Sequence, residues 1–304
     1  MPSATNHLPY FSIGQDLKTR FGGKIVKLSL DAGFTCPNRD GTKGFGGCSF
    51  CSPEGSGELS SDMAGQMALL SRKWPAATGY LAYFQSHTNT YAPVSQLRAL
   101  YQEALSYPKV VGIAIATRPD CLDDEVLDLL EELNRQTFLW VELGLQTIHE
   151  DTATRMNRGY PLSMYDAAVA NLSRRNIRIV THLILGLPGE SKQDMVDSVG
   201  YVTQLTPDQK RIYGLKLHLL NVVKGSALEK EYEGYIPFAS PKEYIDLICD
   251  LLPLISPEIT IHRLTGDVPR KLLVAPEWSY KKRTILNGIL HEMARREKKQ
   301  GCDL

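Results

Sequence analysis

Apolar runs of strand length alternate along the chain with segments of helical length whose polar residues fall on one side. The strand candidates are almost continuously apolar, which is typical of parallel strands that are buried on both faces. Six strands are predicted, at residues 24–30, 79–85, 110–117, 138–146, 177–188 and 212–220. One helix is predicted after each of them, near residues 60–73, 95–106, 123–135, 163–175, 191–205 and 241–255.

This alternation predicts parallel strands that are joined by right-handed crossovers. Every strand candidate leads into a polar or glycine-bearing loop, and in a barrel such loops gather at the carboxyl ends of the strands. We therefore predict an α/β fold, a partial (β/α)6 barrel of TIM type with a C-terminal helical extension. The expected boundaries are a lead-in over residues 1–22, the barrel over 23–256 and the extension over 257–304. Residues 258–264 are a candidate seventh strand.

The overall composition excludes several classes of protein. The chain has 304 residues, is 43% apolar and has a formal net charge of zero, so it is not a polycation drawn indiscriminately to nucleic acid. The N-terminus lacks the apolar core of a secretory signal, and no apolar run reaches the ~18 residues of a membrane span. Six cysteines, three of them isolated, do not resemble a secreted disulfide framework. We expect a reduced, cytoplasmic protein without a membrane partner.

Cys36, Cys48 and Cys51 lie in one glycine-rich loop after the first predicted strand, with the sequence CPNRDGTKGFGGCSFC. Thiolates bind soft metals and iron–sulfur clusters. A structural zinc site normally takes four protein ligands, so three cysteines favour a cubane whose fourth iron stays open. The alternatives are zinc with a distant His or Cys, and a glycine-rich loop with reduced thiols. Phe50, inside the last cysteine pair, would shield a cluster from water.

The cysteine loop resembles the cluster loop of radical S-adenosylmethionine (SAM) enzymes. Its first gap, of eleven residues, is longer than the usual one and is similar to that of the Elongator catalytic-subunit branch. Residues 115–122, 141–160 and 182–191 resemble strand motifs that the Elongator, HemN and MiaB groups share. The cysteine loop, residues 84–93 and residues 262–278 resemble more narrowly the YhcC/YtqA-like radical SAM proteins.

The resemblance implies that the barrel is a radical SAM core. Cys36, Cys48 and Cys51 would bind a [4Fe–4S] cluster, and SAM would chelate its open iron. A one-electron donor such as flavodoxin or ferredoxin would reduce the cluster, and SAM would be cleaved to a 5′-deoxyadenosyl radical. The radical would then abstract a hydrogen atom from the substrate.

Residues at the ends of the predicted strands are candidates for binding SAM. By resemblance to the HemN group, Arg158 would pair with the SAM carboxylate through its guanidinium fork. Glu142 and Gln146 lie on one face of the fourth strand and are costly to bury unpaired, so SAM or a structural hydrogen-bond network would satisfy them. Many family members have a Gly-Gly-Glu motif after the second strand, which is absent here. The remaining candidates are Phe50, Gln85, Thr117, Gly186 and Gly189.

Other polar residues at strand ends exceed what SAM cleavage requires. The segment SHTNTY, residues 86–91, makes His87, Asn89 and Tyr91 candidates for contacting the substrate, with an ordinary polar loop as the alternative. Lys216 and His218, on the sixth predicted strand, could also point inward, although a lone lysine at a strand end more often reaches solvent.

The C-terminal region is basic, with seven Lys and Arg against three Asp and Glu over residues 281–304. Residues 281–283 and 294–299, on a helix predicted over 280–299, would bind RNA phosphates or form a solvated helix face. RNA binding is favoured because the neighbouring Elongator and MiaB groups act on tRNA. The resemblance to the YhcC/YtqA-like proteins implies modification of a tRNA wobble uridine, from carboxymethylaminomethyl to aminomethyl. The alternatives are a radical SAM enzyme for a small metabolite or a protein side chain, and a non-catalytic, metal-bearing RNA-binding module.

Overall fold

The computed structural model describes residues 8–51, 62–204 and 212–304. Its strands are β1 (Ile25–Leu30), β2 (Gly79–Phe84), β3 (Val110–Thr117), β4 (Phe138–Gln146), β5 (Arg178–Leu185), β6 (Gly214–Leu219), β7 (Val222–Val223), β8 (Thr260–Arg263) and β9 (Leu273–Ala275). Its helices are α1 (Ile13–Phe21), α2 (Met63–Arg72), α3 (Val94–Ser106), α4 (Asp124–Gln136), α5 (Glu150–Arg155), α6 (Leu162–Arg174), α7 (Lys192–Thr203), α8 (Ala227–Glu231), α9 (Pro241–Leu251) and α10 (Lys282–Arg295).

Seven parallel strands form one sheet in the order β1-β2-β3-β4-β5-β6-β8, and the sheet curls into a half-barrel. The predicted partial barrel with C-terminal helices is therefore confirmed. Residues 258–264 contribute the seventh strand, because β8 pairs with β6. The boundary predicted at residue 257 stays a prediction. Residues 60, 61 and 205, at the ends of two predicted helices, lie outside the described residues.

Helix α4 shows how the outer layer forms. Asp123 caps its first turn by accepting a hydrogen bond of 2.9 Å from the backbone N–H of Val126. Apolar residues then recur at helical spacing and bury one face of α4 within the main core, which also contains side chains from the strands. Strand β2 is buried along its whole length, as its unbroken apolar sequence predicts.

Helix α1 closes the half-barrel at the amino ends of the strands. Its Leu17 belongs to an inner apolar cluster with Leu81, Trp140 and Val180, and Phe21 packs edge-on against Phe138 at the start of β4. The backbone N–H of residue 261, on β8, donates 2.7 Å to the carbonyl of residue 11, which ties this closing segment to the edge of the sheet. The barrel interior therefore contains an apolar layer at this end.

The C-terminal helix packs on the outside of the barrel. Ile285, Ile289 and Met293 are its buried face, and Gly288 lets the helix approach Ile245 of α9, where an added Cβ would lie 2.5 Å from the isoleucine. None of the helices in the described ranges combines the length and apolar character that crossing a bilayer requires.

Candidate active site

A cavity of about 370 Å³ opens at the carboxyl ends of the strands. It lies above the inner apolar cluster, where loops after parallel strands meet. Of the sixteen residues predicted to bind cluster, SAM or substrate, eleven line it: Cys36, Cys48, Phe50, Cys51, Gln85, His87, Thr117, Glu142, Gln146, Lys216 and His218.

The cysteine loop is anchored to the turn that follows α5. Asn38 is buried and donates 2.6 Å to the carbonyl of Asn157, and the side chain of Asn157 donates 2.8 Å back to the carbonyl of Gly47. Glycine is needed at two of the approaches, because a Cβ at Gly44 or Gly159 would lie 2.3 or 2.8 Å from the Asn38 side-chain oxygen. The two loops are therefore positioned by each other.

The three thiols fit a cluster better than a single metal ion. Among the described residues, no three His, Cys, Asp or Glu side chains converge closely enough to hold one ion, which a tetrahedral zinc site would require. In a cubane, each cysteine binds a different iron, so three thiols that line one cavity without converging on a single point are suitable. The hydrogen bond from Cys48, assisted by the Arg39 guanidinium, lowers the pKa of the Cys51 thiol to about 7. The same hydrogen bond and burial raise the pKa of Cys48 well above its usual range, so Cys51 is the member of this pair that is favoured as the thiolate that binds iron.

A cluster of five side chains forms the floor of the cavity, and we call it the Glu142 cluster: Tyr83, Trp140, Glu142, His182 and Lys216. Oε2 of Glu142 accepts 2.6 Å from the Tyr83 hydroxyl, lies 3.0 Å from Nε2 of His182 and pairs with the Lys216 ammonium. Trp140 donates 2.9 Å to Oε1, and Lys216 also donates 2.7 Å to Tyr83. The sequence analysis left SAM and a structural hydrogen-bond network as alternative partners of Glu142, and the network is present.

The charges in this cluster follow from burial and pairing. Burial alone would raise the pKa of Glu142, but the Lys216 ammonium and the hydrogen bond from His182 hold that pKa well below its usual range. Burial lowers the pKa of Lys216 to about 7 against the pull of Glu142, and burial together with the nearby ammonium lowers the pKa of His182 to about 4. Glu142 is thus a carboxylate, and His182 is a neutral imidazole that can donate to it.

Arg158 does not line the cavity. It is 1% exposed, and its guanidinium donates 2.9 Å to the carbonyl of Tyr160 and 2.7 Å to that of Thr147, with a further contact to Glu150 at 3.2 Å. These bonds fasten the segment after β4 and occupy the guanidinium, so the pairing of Arg158 with the SAM carboxylate stays a prediction. The fork satisfies backbone carbonyls that burial would otherwise leave unpaired.

Two other predicted residues are held by the protein itself. Asn89 is fully buried and donates 3.1 Å and 2.8 Å to the carbonyls of Phe84 and Ala116, which joins the ends of β2 and β3. Tyr91 donates 2.7 Å to Thr42 in the cysteine loop. Neither lines the cavity, and of the predicted trio only His87 does.

Gly186 and Gly189 also lie outside the lining. Both have positive φ values, of 87° and 86°. A Cβ at Gly186 would meet the Phe238 ring at 2.7 Å, and one at Gly189 would meet the Arg155 side chain at 2.7 Å. The close approaches at these glycines are therefore made by the protein's own side chains.

Backbone strain marks the ends of two strands. His87 and Gln146 have φ values of 58° and 67°, in the left-handed region that residues other than glycine rarely adopt. Such strain clusters at ligand sites. Nearby, Gln85 accepts 3.2 Å from Ser29, and the Thr117 hydroxyl lies 2.5 Å from that of Thr90.

Several residues that line the cavity were not predicted from the sequence, among them Tyr83, Arg118, His182 and Arg263. Tyr83 and His182 could have been found from the alternation along their strands, since each lies two positions from another lining residue. Arg118 directly follows Thr117, clamps Asp120 with two bonds of 2.9 and 3.0 Å and donates 3.0 Å to the carbonyl of Arg158. Arg263 ends β8, which was predicted only as a candidate strand.

Two family models and several known proteins are similar to this chain. A family model described as the radical SAM superfamily matches residues 36–202, and a radical SAM C-terminal domain model matches residues 212–295. The YtqA protein of Bacillus subtilis is 42% identical over 309 residues, covering 99% of this chain and 94% of that protein. The YhcC protein of Escherichia coli is 39% identical over 274 residues, covering 87% and 86%.

The fold is also found in solved structures. The archaeal Methanocaldococcus infernus Elp3 superposes with a TM-score of 0.66, at 15% identity, over 91% of this chain and 64% of that one. The similarity therefore extends beyond the sheet to most of the described chain.

Proposed function

The chain belongs to the radical SAM superfamily, and we propose that it modifies the wobble uridine of tRNA, converting a carboxymethylaminomethyl side chain to aminomethyl. It is an enzyme rather than a non-catalytic metal-bearing module. The proposed conversion balances with SAM as the two-electron acceptor and water as the oxygen source. The carboxymethyl carbons leave as glyoxylate, and SAM yields methionine and 5′-deoxyadenosine, with release of one proton.

Radical SAM enzymes use a [4Fe–4S] cluster and SAM, which together supply a hydrogen-abstracting carbon radical when an electron enters. In this chain, Cys36, Cys48 and Cys51 would hold the cluster. The Glu142 cluster forms a rigid polar floor beneath the cavity, and α1 excludes water from below. The chain's own contribution is therefore orientation and dryness at the reacting centre.

The two basic segments of the C-terminal region differ in how far their charge is neutralised. The end of α10 is neutralised, because Arg295 pairs with Glu292 at 2.6 Å, and Arg296 contacts Asp246 and Asp250 at 2.6 and 2.7 Å. The second basic segment predicted to bind RNA, residues 294–299, is therefore largely satisfied within the protein.

The first basic segment, residues 281–283, lies at the cavity mouth. Lys282 pairs at 2.8 Å with Asp267, which lines the cavity. Lys281 and Arg283 are exposed, and no ion pair joins either of them to an acid in the described ranges. This placement of unneutralised cations beside the opening is the observation that carries the RNA proposal, because phosphates are bound by such groups.

An exposed aromatic ring accompanies these cations. Tyr280 is 41% exposed, and the Arg270 guanidinium lies 4.6 Å from its ring centroid. Aromatic rings interleaved with basic residues are typical of surfaces that bind single-stranded nucleic acid. The surface formed by Arg270, Tyr280, Lys281 and Arg283, which we call the mouth surface, would hold an anticodon loop over the cavity.

The test uses reconstituted protein, chemically reduced and mixed with SAM and with tRNA from a strain that lacks the gene. We expect 5′-deoxyadenosine to rise above a low background only when tRNA is present. Nucleoside mass spectrometry should show aminomethyluridine replacing carboxymethylaminomethyluridine. An unchanged wobble nucleoside, with 5′-deoxyadenosine still formed, would reject tRNA in favour of a small metabolite or a protein side chain.

A further inference from the structure

Three neighbouring strands present a row of basic side chains to the cavity. His182 of β5 is paired in register with Lys216 of β6, and Lys216 is paired with Arg263 of β8. All three side chains line the cavity. Because paired residues on adjacent strands lie side by side, the row crosses one wall of the cavity at a single level.

Among the described residues, two members of this row are hydrogen-bonded within the protein, and the third is not. His182 and Lys216 both contact Glu142 within the Glu142 cluster. Arg263 is different: its side chain is 21% exposed, and it donates no hydrogen bond to any residue within the described ranges. Its guanidinium therefore keeps five N–H donors directed at a half-buried space.

Arg263 shares its acidic partner, Asp267, with a second cation. Oδ2 of Asp267 lies 3.7 Å from the Arg263 guanidinium, which is beyond hydrogen-bond distance, and the same oxygen binds Lys282 at 2.8 Å. Glu142 is already paired with Lys216. This wall of the cavity therefore has an excess of positive charge.

His218 extends the row towards the cavity mouth. It lies two positions after Lys216 on β6, and its ring centroid lies 5.6 Å from that of His182. Neither ring nitrogen of His218 forms a hydrogen bond with the part of the chain that the structure describes. Burial lowers its pKa well below the usual range, so the ring is neutral and offers one donor and one acceptor.

We propose that Arg263, assisted by His218, binds an anionic oxygen group of the substrate. A guanidinium fork matches a carboxylate or a phosphate bidentately, and leaving these donors without a partner in a half-buried site would be costly. The inference rests on the proposed function in one respect: in that substrate, the group is the carboxylate of the carboxymethylaminomethyl side chain. The carboxylate marks the uridine that still needs modification, so Arg263 would distinguish substrate from product.

The first experiment measures anion binding without RNA. Reconstituted, SAM-loaded protein is titrated with ¹³C-acetate and, separately, with inorganic phosphate, and binding is followed by NMR line broadening. We expect Arg263→Gln to weaken binding of acetate at least about tenfold, the loss expected for a hydrogen bond to a charged group. Arg135→Gln, which removes an arginine that is 70% exposed on α4, should bind acetate as the wild-type protein does.

Two further measurements separate anion binding from other roles of Arg263. Arg263→Lys keeps the charge but loses the fork, so its affinity should fall between those of the wild type and Arg263→Gln. The affinity for SAM and the absorption of the cluster should be unchanged in both variants. Acetate binding that does not depend on Arg263, or a parallel loss of SAM affinity, would overturn the proposal, since the latter would place the guanidinium on SAM.

The second experiment uses anticodon stem-loops that carry either carboxymethylaminomethyluridine or aminomethyluridine. We expect the wild-type protein to bind the carboxylated loop more tightly, and Arg263→Gln to bind both loops equally. If Arg263→Gln weakens both loops equally, the guanidinium contacts a backbone phosphate and the assignment to the carboxylate is wrong. If the wild-type protein distinguishes neither loop while acetate binding still depends on Arg263, the tRNA substrate is wrong and the anion site stands.

Discussion

The indole N–H of Trp140 donates a hydrogen bond of 2.9 Å to Oε1 of Glu142, two positions further along the same strand. The other carboxylate oxygen is contacted by Tyr83, His182 and Lys216, which come from three other strands. One carboxylate thus connects four strands of the half-barrel in the layer between its apolar base and the cavity. Because Glu142 is 0% exposed, these bonds are shielded from water.

Replacing Glu142 with Gln should destabilise the fold. The change leaves the buried Lys216 without its counter-charge, and breaking one partner of a buried ion pair costs about 3–5 kcal/mol. Urea denaturation would measure the loss. Glu132→Gln, which removes an exposed partner of Arg98, should leave the midpoint unchanged. Lys216→Met added to Glu142→Gln should recover stability, and failure to do so would contradict the pairing as the cause.

Stability should fall as the pH drops towards 4, partly through His182. Its pKa is about 4 in the folded protein and ~6.5 when unfolded, so the unfolded chain binds a proton that the folded chain does not between these values. This contribution is complete above ~6.5 and is lost as the pH falls. In His182→Gln the slope of unfolding free energy should be shallower by up to ~1.4 kcal/mol per pH unit. Parallel curves for the two proteins from about pH 7 to about pH 5 would refute this assignment.

Removing any one of Cys36, Cys48 and Cys51 should prevent assembly of an intact cluster. Alanine cannot bind iron, and each thiol is expected to hold a different one. The loss of the cluster would be measured from the iron and sulfide content and from the visible absorption of the protein. Cys121→Ala is the matched control: burial raises the pKa of this thiol to about 12, and it does not line the cavity. Equal iron loss in the control would mean that the cysteine loop is not the specific site.

Arg158→Lys should affect stability rather than SAM affinity. A lysine cannot reproduce the fork that bonds the carbonyls of Thr147 and Tyr160, so we expect a loss of about 2 kcal/mol or more. Arg135→Lys, at a position 70% exposed on α4, serves as the control and should be neutral. Thermal denaturation and SAM binding by calorimetry would be compared. A large loss of SAM affinity with an unchanged melting temperature would instead favour the role implied by the resemblance.

The two ends of the basic region should differ in RNA binding. Lys281→Gln with Arg283→Gln removes two cations of the mouth surface, so tRNA affinity should fall and the salt dependence should flatten by about two phosphate contacts. Arg295→Gln with Lys298→Gln removes the same charge from groups already paired with Glu292 and Asp303. Filter binding at several salt concentrations should show little change for this second pair. Similar losses in both would indicate long-range attraction rather than a defined surface.

The sequence predicted the main sheet well because its strands are long and continuously apolar. The run predicted at residues 177–188 corresponds to β5, Arg178–Leu185. In contrast, β7 and β9 pair over two and three residues, too few for any periodicity, and were not predicted. Helix α1 was also not predicted, since it has only nine residues and one buried side chain, Leu17, which packs against the end of the barrel.

Within the site, sequence reasoning succeeded where side-chain direction follows from the strand. Lys216 and Glu142 point inward because alternate residues of a strand share a face. It did not fix the direction of Arg158, which lies after a short helix and outside the cavity lining, because a motif fixes the position in the chain but not the direction of the side chain. The role of Arg158 at SAM stays a prediction. Asn89 shows the same limit: a polar residue after a strand was expected at the substrate and instead bonds two strand ends.

The closure of the barrel base by α1 has a kinetic consequence. Leu17 and Trp140 block that end. Within the described ranges, molecules therefore exchange between the cavity and solvent through the rim where the strands finish. A folded RNA lying across this rim would enclose SAM beneath it. Turnover should then follow a compulsory sequence in which SAM arrives before the RNA, and its spent fragments depart after the RNA has gone.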